Sequence, residues 1–575
     1  MMNSTGPFTN TLKRSKSGRP WIIAAYVVLF WLVLPVFISR SAWFLDRRLS
    51  LAMPPSIARA IIGGLLTAFA AWMLFRAIRD FRQFGAELPV SALPPNRIIQ
   101  QGLYTYWRHP IYVFYALLFA GLGLAFGSGG LLLVMLPLLI LGEVPYVLLE
   151  ERALVRRFGK AYEDYRRRAP LIVPRLGTVL RPLFNIICRL LFNWEIRHAE
   201  RVPAEPPFFV VAAHRNYLDP FFVAYPVRFP VCFVTTFEMF RSPLRRFVFR
   251  RFLCIPKRRY LNDVGAGREI VARLRQGYVI GVFPEGERSW TGRTLDWKPE
   301  AVALLKRFPD VPVLPIRVDG DYLSWPRWAQ GIRRAKLTIT VQEPFWLRPD
   351  MAAADVEREL RNRIEPDDSG TFCRGDNHAG GLTKVIYRCP ACGSFETLTL
   401  TGSREVACPS CSTSFSLQPD YTLRYRTGNH DVVESLPSVY ERIRIRESDI
   451  TSVGETGEAV IASCRSAVLW REEGNRMRRL GTGSVELRTS SLDFAGFPSV
   501  PFHPVERGEE GEAGVTIPLE HVRSVTTESN RKLQIYDGSA RRLWQLTFEN
   551  ESVLKWQDLI VETIRHKFKF EPNWR

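Results

Sequence analysis

A histidine and an aspartate stand five residues apart in this 575-residue chain, as His214 and Asp219. Such a pair can meet across the turn that leads into a helix. The carboxylate then fixes the imidazole tautomer, and the imidazole can take a proton from an attacking hydroxyl group. Pairs of this kind often do no more than cap a helix. The pair therefore indicates general-base chemistry but needs support from other motifs.

Three further motifs give that support. Phe-Pro-Glu-Gly-Glu-Arg-Ser at 283–289 follows a short apolar run, as His214 does, and Val-Pro-Val-Leu-Pro-Ile occupies 311–316. Between His214 and the first of these lies the segment Arg241–Tyr260, which has eight basic residues and no acidic one. A guanidinium group can give a phosphate two parallel hydrogen bonds, so this segment favours a phosphate-bearing substrate.

Together and in this order, the motifs resemble the glycerolipid acyltransferase family, which includes the 1-acylglycerol-3-phosphate acyltransferases. The resemblance covers about residues 180–350 and implies an α/β domain in which a hydroxyl group attacks an acyl thioester directly. It implies that His214 is the general base and that Asp219 orients it. The residues that it assigns to the acceptor are Glu285, Gly286 and Arg288, with Arg258 and Lys257 on its phosphate. The implied acceptor is a lysophospholipid, with lysophosphatidate favoured, and the donor is acyl-CoA or acyl carrier protein.

Three residues in these motifs depart from the family pattern. Ala213 and Asn216 stand where the family has Asn and Ser, and Glu287 stands where it has Thr. Because His214 and Asp219 are intact, the departures bear on the identity of the acceptor. Glu287 in particular adds a negative charge near the expected phosphate.

The N-terminal part of the chain differs in character, because it contains four long apolar runs. Each is close to the ~20 residues that a helix needs to cross the bilayer core. The runs are Trp21–Ser39, Ala60–Phe75, Ile111–Phe126 and Leu131–Leu149, of which the last is broken only by Glu143. Arg and Lys concentrate before the first run, between the second and third, and after the fourth. By the positive-inside rule, the sequence predicts a multi-pass protein of the bacterial cytoplasmic membrane, with its N-terminus and everything after residue 150 in the cytoplasm.

Ionisable and aromatic residues stand at the ends of the last two runs. Arg108, His109 and Tyr112 open the third run, and Glu150 and Glu151 end the fourth. Over about residues 55–175 this pattern resembles the isoprenylcysteine and phospholipid methyltransferase family, which implies an S-adenosylmethionine site formed by these five residues. The alternative is that Arg108 and His109 only anchor a helix end among the lipid headgroups.

Four of the nine cysteines form two C-x2-C pairs separated by fifteen residues, Cys389 with Cys392 and Cys408 with Cys411. Two such turns joined by a hairpin can present four thiolates to a tetrahedral zinc ion. Because four protein ligands close the coordination shell, the predicted zinc is structural. The other five cysteines show no pairing pattern, and scattered free thiols fit a reducing cytosol.

After the cysteines, the chain alternates between apolar and polar positions as β-strands do, and Asp537-Gly538 predicts a hairpin turn. A helix is predicted at 552–564, where Trp556 lies on an apolar face. Several strands closed by a Trp-bearing helix look like a pleckstrin-homology or GRAM-type domain, which would bind a protein or a lipid ligand. A purely structural β domain is the alternative.

The sequence thus predicts a multidomain protein with an α-helical transmembrane domain, an α/β acyltransferase domain, a zinc ribbon and a β-rich domain. The predicted parts are a basic cytoplasmic N-terminus at 1–20, a four-span methyltransferase-like domain at 21–176, the acyltransferase at 177–363, a linker at 364–384, the zinc ribbon at 385–420 and the PH-like domain at 421–575. Residues 178–195 predict a helix that either lies in the membrane interface or packs in the cytosol.

The composition is that of a folded protein, 46% hydrophobic and 23% charged, which excludes a disordered chain. Lys and Arg number 78 against 57 Asp and Glu, and the net charge of +21 calls for a polyanionic partner. Since much of the basic excess flanks the spans, anionic membrane lipid is favoured over nucleic acid. Three functions stay open: a lysophospholipid O-acyltransferase, an S-adenosylmethionine-dependent methyltransferase of a lipid or a lipidated thiol (alone or alongside the first), and a non-enzymatic membrane scaffold.

Overall fold

The structure is a computed structural model that describes residues 24–25, 27–85, 98–99, 101–170, 181–258, 260, 263–375, 378–451, 459–498 and 514–572. The chain folds as two compact units, Met1–Val179 and Leu180–Arg575. The basic N-terminus at 1–20 lies outside the described residues, as do the first three residues of the first predicted span.

Long apolar helices make up the first unit. They are α1 (Leu34–Leu49), α2 (Ile57–Gly85), α3 (Pro110–Phe126), α4 (Leu136–Phe158) and α5 (Lys160–Arg168). π-Helical turns at Leu29–Val33 and Leu131–Met135 lead directly into α1 and α4, and a 3-10 turn at Gly102–Thr105 precedes α3. Among the described residues, three helical stretches are long and apolar enough to cross a membrane, namely Leu29–Leu49, Ile57–Phe84 and Leu131–Phe158. The third predicted span, α3, is an apolar helix of 17 residues and is shorter than the other three.

The first spanning stretch ends further along the chain than the predicted run Trp21–Ser39, at Leu49. The helix continues past Arg40 and carries charged residues in its last turns. A hydropathy pattern ends at the first charge, whereas a helix can continue while its long basic side chains reach water or headgroups. Here the Arg47 guanidinium lies 4.0 Å from the centre of the Trp43 ring, a pairing typical of the interface.

Small residues let α2 and α3 approach each other closely. A Cβ atom on Gly63 would lie 2.2 Å from the backbone nitrogen of Ala125, and one on Gly121 would lie 2.6 Å from the Thr67 hydroxyl oxygen. Membrane helices associate largely through van der Waals contact, which glycine makes closer. The two helices therefore pack as a pair, and the second of them begins at the Arg-His-Pro motif.

The second unit begins with an α/β domain. Its strands are β1 (Glu195–Arg197), β2 (Phe209–Val211), β3 (Val231–Thr236), β4 (Ile255–Lys257), β5 (Val279–Val282), β6 (Val313–Asp319), β7 (Arg334–Ala335) and β8 (Thr338–Val341). All but β7 form one sheet in the order β1-β8-β6-β2-β5-β3-β4. Neighbouring strands run parallel except β6 and β8. The central strands β2 and β5 are buried at every residue, as expected for a parallel sheet covered on both faces.

Helices supply that cover. They are α6 (Arg181–Phe192), α7 (Asp219–Ala224), α8 (Pro243–Arg251), α9 (Val264–Arg275), α10 (Pro299–Lys306), α11 (Asp321–Ser324) and α12 (Ala353–Ile364). Alternate residues of β2 enter different cores, because successive strand side chains point to opposite faces. Val210 packs in a core with α6 and α7, whereas Val211 packs in a core with α9, α10 and α12.

The helix predicted at 178–195 combines its two expected settings. In α6, Cys188 and Phe192 are buried against the sheet. On its other side Ile186, Ile187 and Leu190 are exposed, with 73% of Leu190 accessible. The helix therefore packs on the domain and still presents an apolar face.

Residues 364–384, assigned to a linker from sequence, pack on the α/β domain where the structure describes them. The strand β9 (Cys373–Arg374) pairs with β7, and Cys373 and Leu382 are buried. The segment therefore holds a defined position.

Two antiparallel sheets follow. The first carries the cysteine pairs and consists of β10 (Thr399–Leu400), β11 (Glu405–Ala407), β12 (Ser414–Leu417), β13 (Thr422–Thr427) and β14 (His430–Ser435). After α13 (Leu436–Ile443) and α14 (Glu447–Thr451) come β15 (Val460–Glu473), β16 (Arg476–Arg488), β17 (Ser491–Pro498), β18 (Gly514–Pro518), β19 (Val522–Thr527), β20 (Lys532–Asp537), β21 (Arg542–Phe548) and α15 (Val553–Phe568). These seven strands pair in the order β18-β17-β16-β15-β21-β20-β19. The predicted hairpin turn joins β20 to β21, and the predicted Trp-bearing helix is α15.

One hydrophobic core joins part of the α/β domain to the ribbon and the β domain. It contains Trp290 and Trp328 of the α/β domain, Cys389 and Cys408 of the ribbon, and Trp556 of α15. The ribbon and the β domain are therefore built onto the acyltransferase-like domain by shared packing.

Candidate functional site

Two neighbouring parallel strands bring the main predicted residues to one edge of the sheet. β2 pairs with β5, with Val211 opposite Val282, and His214 and Glu285 each follow their strand by three residues. The carboxyl ends of parallel strands meet at the same edge, where open α/β sheets bind ligands. The backbone amide of His214 donates a hydrogen bond to the Glu285 carboxylate at 3.2 Å.

His214 and Asp219 are in direct contact. Oδ2 of Asp219 lies 2.9 Å from Nδ1 of His214 and also accepts hydrogen bonds from the backbone amides of Arg215 and Asn216, both at 2.7 Å. These amides fix the carboxylate at the start of α7. Because the carboxylate accepts from Nδ1, the neutral imidazole carries its proton there and its lone pair on Nε2. That tautomer is the one a general base uses.

Aromatic rings set the orientation of the imidazole. The His214 ring stacks on Phe283 with centroids 4.3 Å apart, and Phe283 stacks on Phe233 at 5.5 Å. Phe233 can lie against β5 because Gly281 has no side chain, since a Cβ there would come within 2.3 Å of its ring. The glycine in the strand thus permits the stack that supports His214.

The electrostatics of the site favour a neutral imidazole beside a neutral glutamic acid. Burial, with the guanidinium groups of Arg288 and Arg327 nearby, holds the pKa of His214 well below its ordinary value. Burial raises the pKa of Glu285 to about 8 and that of Asp219 to about 6. At pH 7 His214 can therefore accept a proton, and Glu285 holds one. The Oε2 atom of Glu285 is buried without a hydrogen-bond partner among the described residues.

The rest of the acceptor motif forms a turn beside His214. Gly286 has a φ of +72°, in the left-handed region that favours glycine. The Arg288 guanidinium lies 3.4 Å from the centre of the Tyr217 ring. The amide of Ser289 donates to the carbonyl oxygen of His214 at 3.0 Å, which joins the two predicted motifs through the backbone.

Lys257 and Arg258 lie at the same edge of the sheet, at the carboxyl end of β4. The Arg258 guanidinium lies 4.6 Å from the centre of the Phe237 ring, and its backbone amide donates to Asp263 at 3.0 Å. Lys257 lies 3.8 Å from Glu300 on α10. In the sheet order, β3 separates β4 from β5. The two basic residues therefore share an edge with His214 without contacting it, and Arg259 lies outside the described residues.

Two of the departures from the family pattern have structural partners. The Asn216 amide donates to the carbonyl oxygen of Asp321 at 2.6 Å and to the Ser324 hydroxyl at 2.8 Å. The Glu287 carboxylate lies 3.8 Å from the Arg327 guanidinium. The extra negative charge in the acceptor motif is therefore paired with a positive one.

Sequence reasoning missed two arginines at this site. Arg215 directly follows His214, and its position next to the predicted base is the local signal that could have marked it. Arg327 is buried, stacks on Trp290 at 4.6 Å and donates to the carbonyl oxygen of Arg288 at 3.1 Å. Its partners lie far away in sequence, so no local pattern could identify it.

In the first unit, the five residues predicted to bind S-adenosylmethionine lie together. Arg108 forms an ion pair with Glu151, His109 lies 3.7 Å from Glu150 and 3.5 Å from Glu151, and the Tyr112 hydroxyl donates to Glu150 at 3.0 Å. The side chains of Arg108 and His109 are only 11% and 7% exposed. Anchoring at the headgroups alone would leave them more accessible.

This residue set fits the cofactor that the family implies. The Nε atom of Arg108 is buried and has no hydrogen-bond partner in the part of the chain that the structure describes. A guanidinium group binds carboxylates, and a pair of carboxylates suits a sulfonium cation. The cluster therefore offers both charges that S-adenosylmethionine requires of a binding site.

The four cysteines of the ribbon converge. Their sulfur atoms all lie within 4.8 Å of one another, and the Cys389–Cys411 and Cys392–Cys408 sulfur pairs are both 3.8 Å apart. A tetrahedron with zinc–sulfur bonds of about 2.3 Å has edges of about 3.8 Å. Each C-x2-C pair lies on a turn closed by a backbone hydrogen bond, as from Gly393 N to Cys389 O at 2.9 Å. The donor set and its geometry fit a structural zinc ion.

Comparison with known proteins finds two families in the chain. Residues 193–319 match the model of the Acyltransferase family, and residues 58–161 match that of the Phospholipid methyltransferase family. The first range contains His214 and the acceptor motif, and the second contains the cluster around Glu151. The chain therefore combines an acyltransferase domain with a methyltransferase-type membrane domain.

A curated relative matches the membrane domain. Methanethiol S-methyltransferase 2 of Bradyrhizobium diazoefficiens is 35% identical over 122 residues, which are 20% of this chain and 43% of that enzyme. The chain thus spans less than half the length of this relative.

Two solved structures are similar to parts of this chain. The crystal structure of the 1-acyl-sn-glycerophosphate (LPA) acyltransferase PlsC from Thermotoga maritima covers 38% of this chain and 85% of its own, at 20% identity and a TM-score of 0.31. The complex of PDZ-RhoGEF DH/PH domains with GTP-γ-S-activated RhoA covers 20% of this chain and 32% of its own, at 16% identity and a TM-score of 0.14. The assignment of the β domain to the PH type stays a prediction.

Proposed function

We propose that the second unit transfers an acyl chain from an acyl thioester to the hydroxyl group of a lysophospholipid, with lysophosphatidate the favoured acceptor. The observation that carries the proposal is the contact of His214 with Asp219 at 2.9 Å, inside the residues that match the acyltransferase family. A neutral imidazole oriented by a fixed carboxylate is what proton abstraction from a hydroxyl group needs.

In the proposed reaction, Nε2 of His214 removes the proton of the acceptor hydroxyl as its oxygen attacks the thioester carbonyl carbon. The C–O bond forms, the C–S bond breaks, and the imidazolium returns its proton to the leaving thiolate. Asp219 keeps the proton on Nδ1 and stabilises the imidazolium. The donor is acyl-CoA or acyl carrier protein, since both present an acyl thioester.

The acceptor site follows from the neighbouring motifs. Protonated Glu285 can donate a hydrogen bond from Oε2 to an oxygen of the acceptor, next to the base. Arg288 and Arg258 supply the positive charge for a phosphate, with Lys257 beside them. Because Arg327 pairs with the Glu287 carboxylate, the departure at this position leaves the field of the site positive.

Exposed apolar residues on the α/β domain support an acceptor taken from the cytoplasmic face of an anionic bilayer. Leu190 on α6 and Leu244 on α8 are 73% and 72% exposed, and Phe247 on α8 is also exposed. α8 carries four arginines around these residues. An apolar face bordered by arginines suits insertion among anionic headgroups.

The test uses membranes that carry the full-length protein with His214→Ala. With lysophosphatidate and labelled acyl-CoA, the initial rate is expected to fall by about 10³-fold, the usual range for the loss of a general base. His198→Ala is the matched control, because its side chain is 46% exposed on the same domain. Acyl transfer at the wild-type rate in the His214 variant would contradict the proposal.

A second activity is supported by the cluster around Glu151. We infer that the first unit binds S-adenosylmethionine, with Arg108 on its carboxylate and Glu150 and Glu151 next to its positive charge. When bound, S-adenosylmethionine supplies an electrophilic methyl group. The Tyr112 hydroxyl and His109 hold the two carboxylates in place, and the acceptor would be a lipid or a thiol. Burial of the cluster excludes water from the site.

A further inference from the structure

The basic segment Arg241–Tyr260 contacts Glu472 of the C-terminal β domain directly, and the acceptor motif at 283–289 is linked to that domain through Arg327. We propose that Glu472 is a positioning residue for the acceptor, which it acts on through Arg241 and Tyr260. The inference rests on the proposed acyltransferase function and adds a role for a part of the chain outside the matched family.

Glu472 binds both ends of the basic segment. Its Oε1 accepts a hydrogen bond from Arg241 Nη2 at 2.7 Å, and its Oε2 accepts one from the Tyr260 hydroxyl at 3.0 Å. Arg241 and Tyr260 are the first and last residues of the segment Arg241–Tyr260, which carries Lys257 and Arg258. One carboxylate of β15 therefore binds both end residues of the segment.

Aromatic rings pack beside the contact of Glu472 with Arg241 and Tyr260. The Tyr260 ring stacks on Tyr536 of β20, with centroids 4.9 Å apart. The Arg241 guanidinium lies 5.9 Å from the centre of the Phe237 ring, on which Arg258 also lies, at 4.6 Å. A shift of Arg241 would therefore disturb the ring that supports the phosphate-binding arginine.

The contact is buried, so its charges depend on one another. The side chains of Arg241 and Glu472 are 9% and 12% exposed. Glu238, at 4% exposed, lies 3.9 Å from the same guanidinium nitrogen of Arg241, Nη2. If the charge of Glu472 is removed, Glu238 is the carboxylate left beside Arg241, and the poorly solvated guanidinium is expected to move toward it.

The acceptor motif at 283–289 has its own attachment to the β domain. Arg327 donates to the carbonyl oxygen of Arg288 at 3.1 Å and, through its other nitrogen, to the carbonyl oxygen of Thr527 at the end of β19. The catalytic pair differs, because the partners of His214 described above all belong to the α/β domain. The β domain therefore bears on acceptor binding more than on the chemical step.

The test compares Glu472→Gln with Glu473→Gln in full-length protein purified in detergent. Glu472→Gln keeps the shape of the side chain and removes its charge. The KM for lysophosphatidate is expected to rise by about tenfold, while kcat and the KM for acyl-CoA stay within about twofold. Glu473 is the matched control, since it neighbours Glu472 on β15, is 40% exposed and pairs with Arg471 and Arg478.

A second variant covers the case in which Glu472→Gln does not fold. Tyr260→Phe removes only the hydroxyl that donates to Glu472 and leaves the ring on Tyr536. Its KM for lysophosphatidate is expected to rise by about threefold with kcat unchanged. An unchanged acceptor KM in the folded variants, or an equal loss of kcat for all substrates, would overturn the inference. Wild-type protein without acyl transfer would instead overturn the proposed function, so the two failures are distinguishable.

Discussion

Arg215 donates hydrogen bonds to both carboxylate oxygens of Asp368, at 2.6 and 3.1 Å, across 153 residues of sequence. The same guanidinium forms an ion pair with Asp321, and its side chain is only 3% exposed. Because Arg215 follows His214 and its amide binds Asp219, this ion pair holds the turn that carries the proposed base.

Replacing Asp368 by Asn is expected to lower the free energy of unfolding by about 2 kcal/mol, since hydrogen bonds to charged groups are worth about 1.5–3 kcal/mol. The kcat for acyl transfer is expected to fall as well, because the turn loses its anchor. Urea denaturation followed by tryptophan fluorescence, with initial rates on the same samples, measures both. Asp367→Asn is the control, since in the hydrogen bonds described its side chain accepts only from Ser369, two residues further on. If Asp368→Asn had the stability and the kcat of the wild type, the ion pair of Arg215 with Asp368 would not hold the turn that carries His214.

The pH dependence of acyl transfer reports the protonation of His214. Its pKa is held below the ordinary value by burial and then by Arg288 and Arg327. The neutral base is present above that lowered pKa and is lost as the pH falls through it, so kcat is expected to stay level down to below about pH 6.5.

Arg288→Gln tests the cause of that shift. Removing one positive charge makes the imidazolium more favourable, so the acid limb of the kcat profile is expected to move to higher pH. The profile is measured at saturating acceptor, because Arg288 also has a proposed role in binding. An acid limb that stays in place would show that this guanidinium does not set the pKa of His214.

Each of the four ribbon cysteines is expected to be needed for a single zinc ion. Cys408→Ser should remove zinc, measured by elemental mass spectrometry, and should lower the midpoint of thermal unfolding, because metal binding contributes folding free energy. Cys464→Ser serves as the control, since it removes a buried thiol outside the cluster. A Cys408→Ser protein with a full complement of zinc would exclude this ligand set.

Glu151→Gln is expected to weaken S-adenosylmethionine binding by about tenfold, because the site loses a charge that faces the sulfonium group. Equilibrium dialysis of the labelled cofactor against full-length protein measures the change. Acyl transfer by the same protein should be unaffected. Glu143→Gln is the matched control on the same helix. Equal cofactor binding by both variants would remove Glu151 from the site.

The parts of the site that were predictable are those with local signatures. The spacing of His214 and Asp219 is enough for them to meet at a helix start, and the apolar run before each motif contains a buried strand, β2 or β5. The C-x2-C pairs were equally plain, because tetrahedral zinc imposes its own spacing on the chain. In each case the contact lies within a few residues or depends on one kind of ligand.

Contacts between distant segments had no such signature. Asp368 stood in a predicted linker, and only the folded chain brings it to Arg215. Glu472 is one of two adjacent acidic residues at the end of β15, where a charged side chain is expected to face solvent. Arg327 likewise belongs to no motif. The contacts of these residues form only when distant segments pack together. Their roles therefore cannot be predicted from the local sequence around them.

The core shared by Trp290, Cys408 and Trp556 joins the ribbon and the β domain to the acyltransferase-like domain by common packing. Unfolding of one of these regions would then expose core residues of the others. Heat or denaturant should therefore unfold the acyltransferase domain, the ribbon and the β domain in a single transition. A destabilising substitution in α15, far from His214, is then expected to abolish acyl transfer because these regions unfold together. Deletion of the ribbon and the β domain would expose the apolar surface that they cover on the acyltransferase-like domain. The truncated protein is therefore expected to aggregate and to lose acyl transfer.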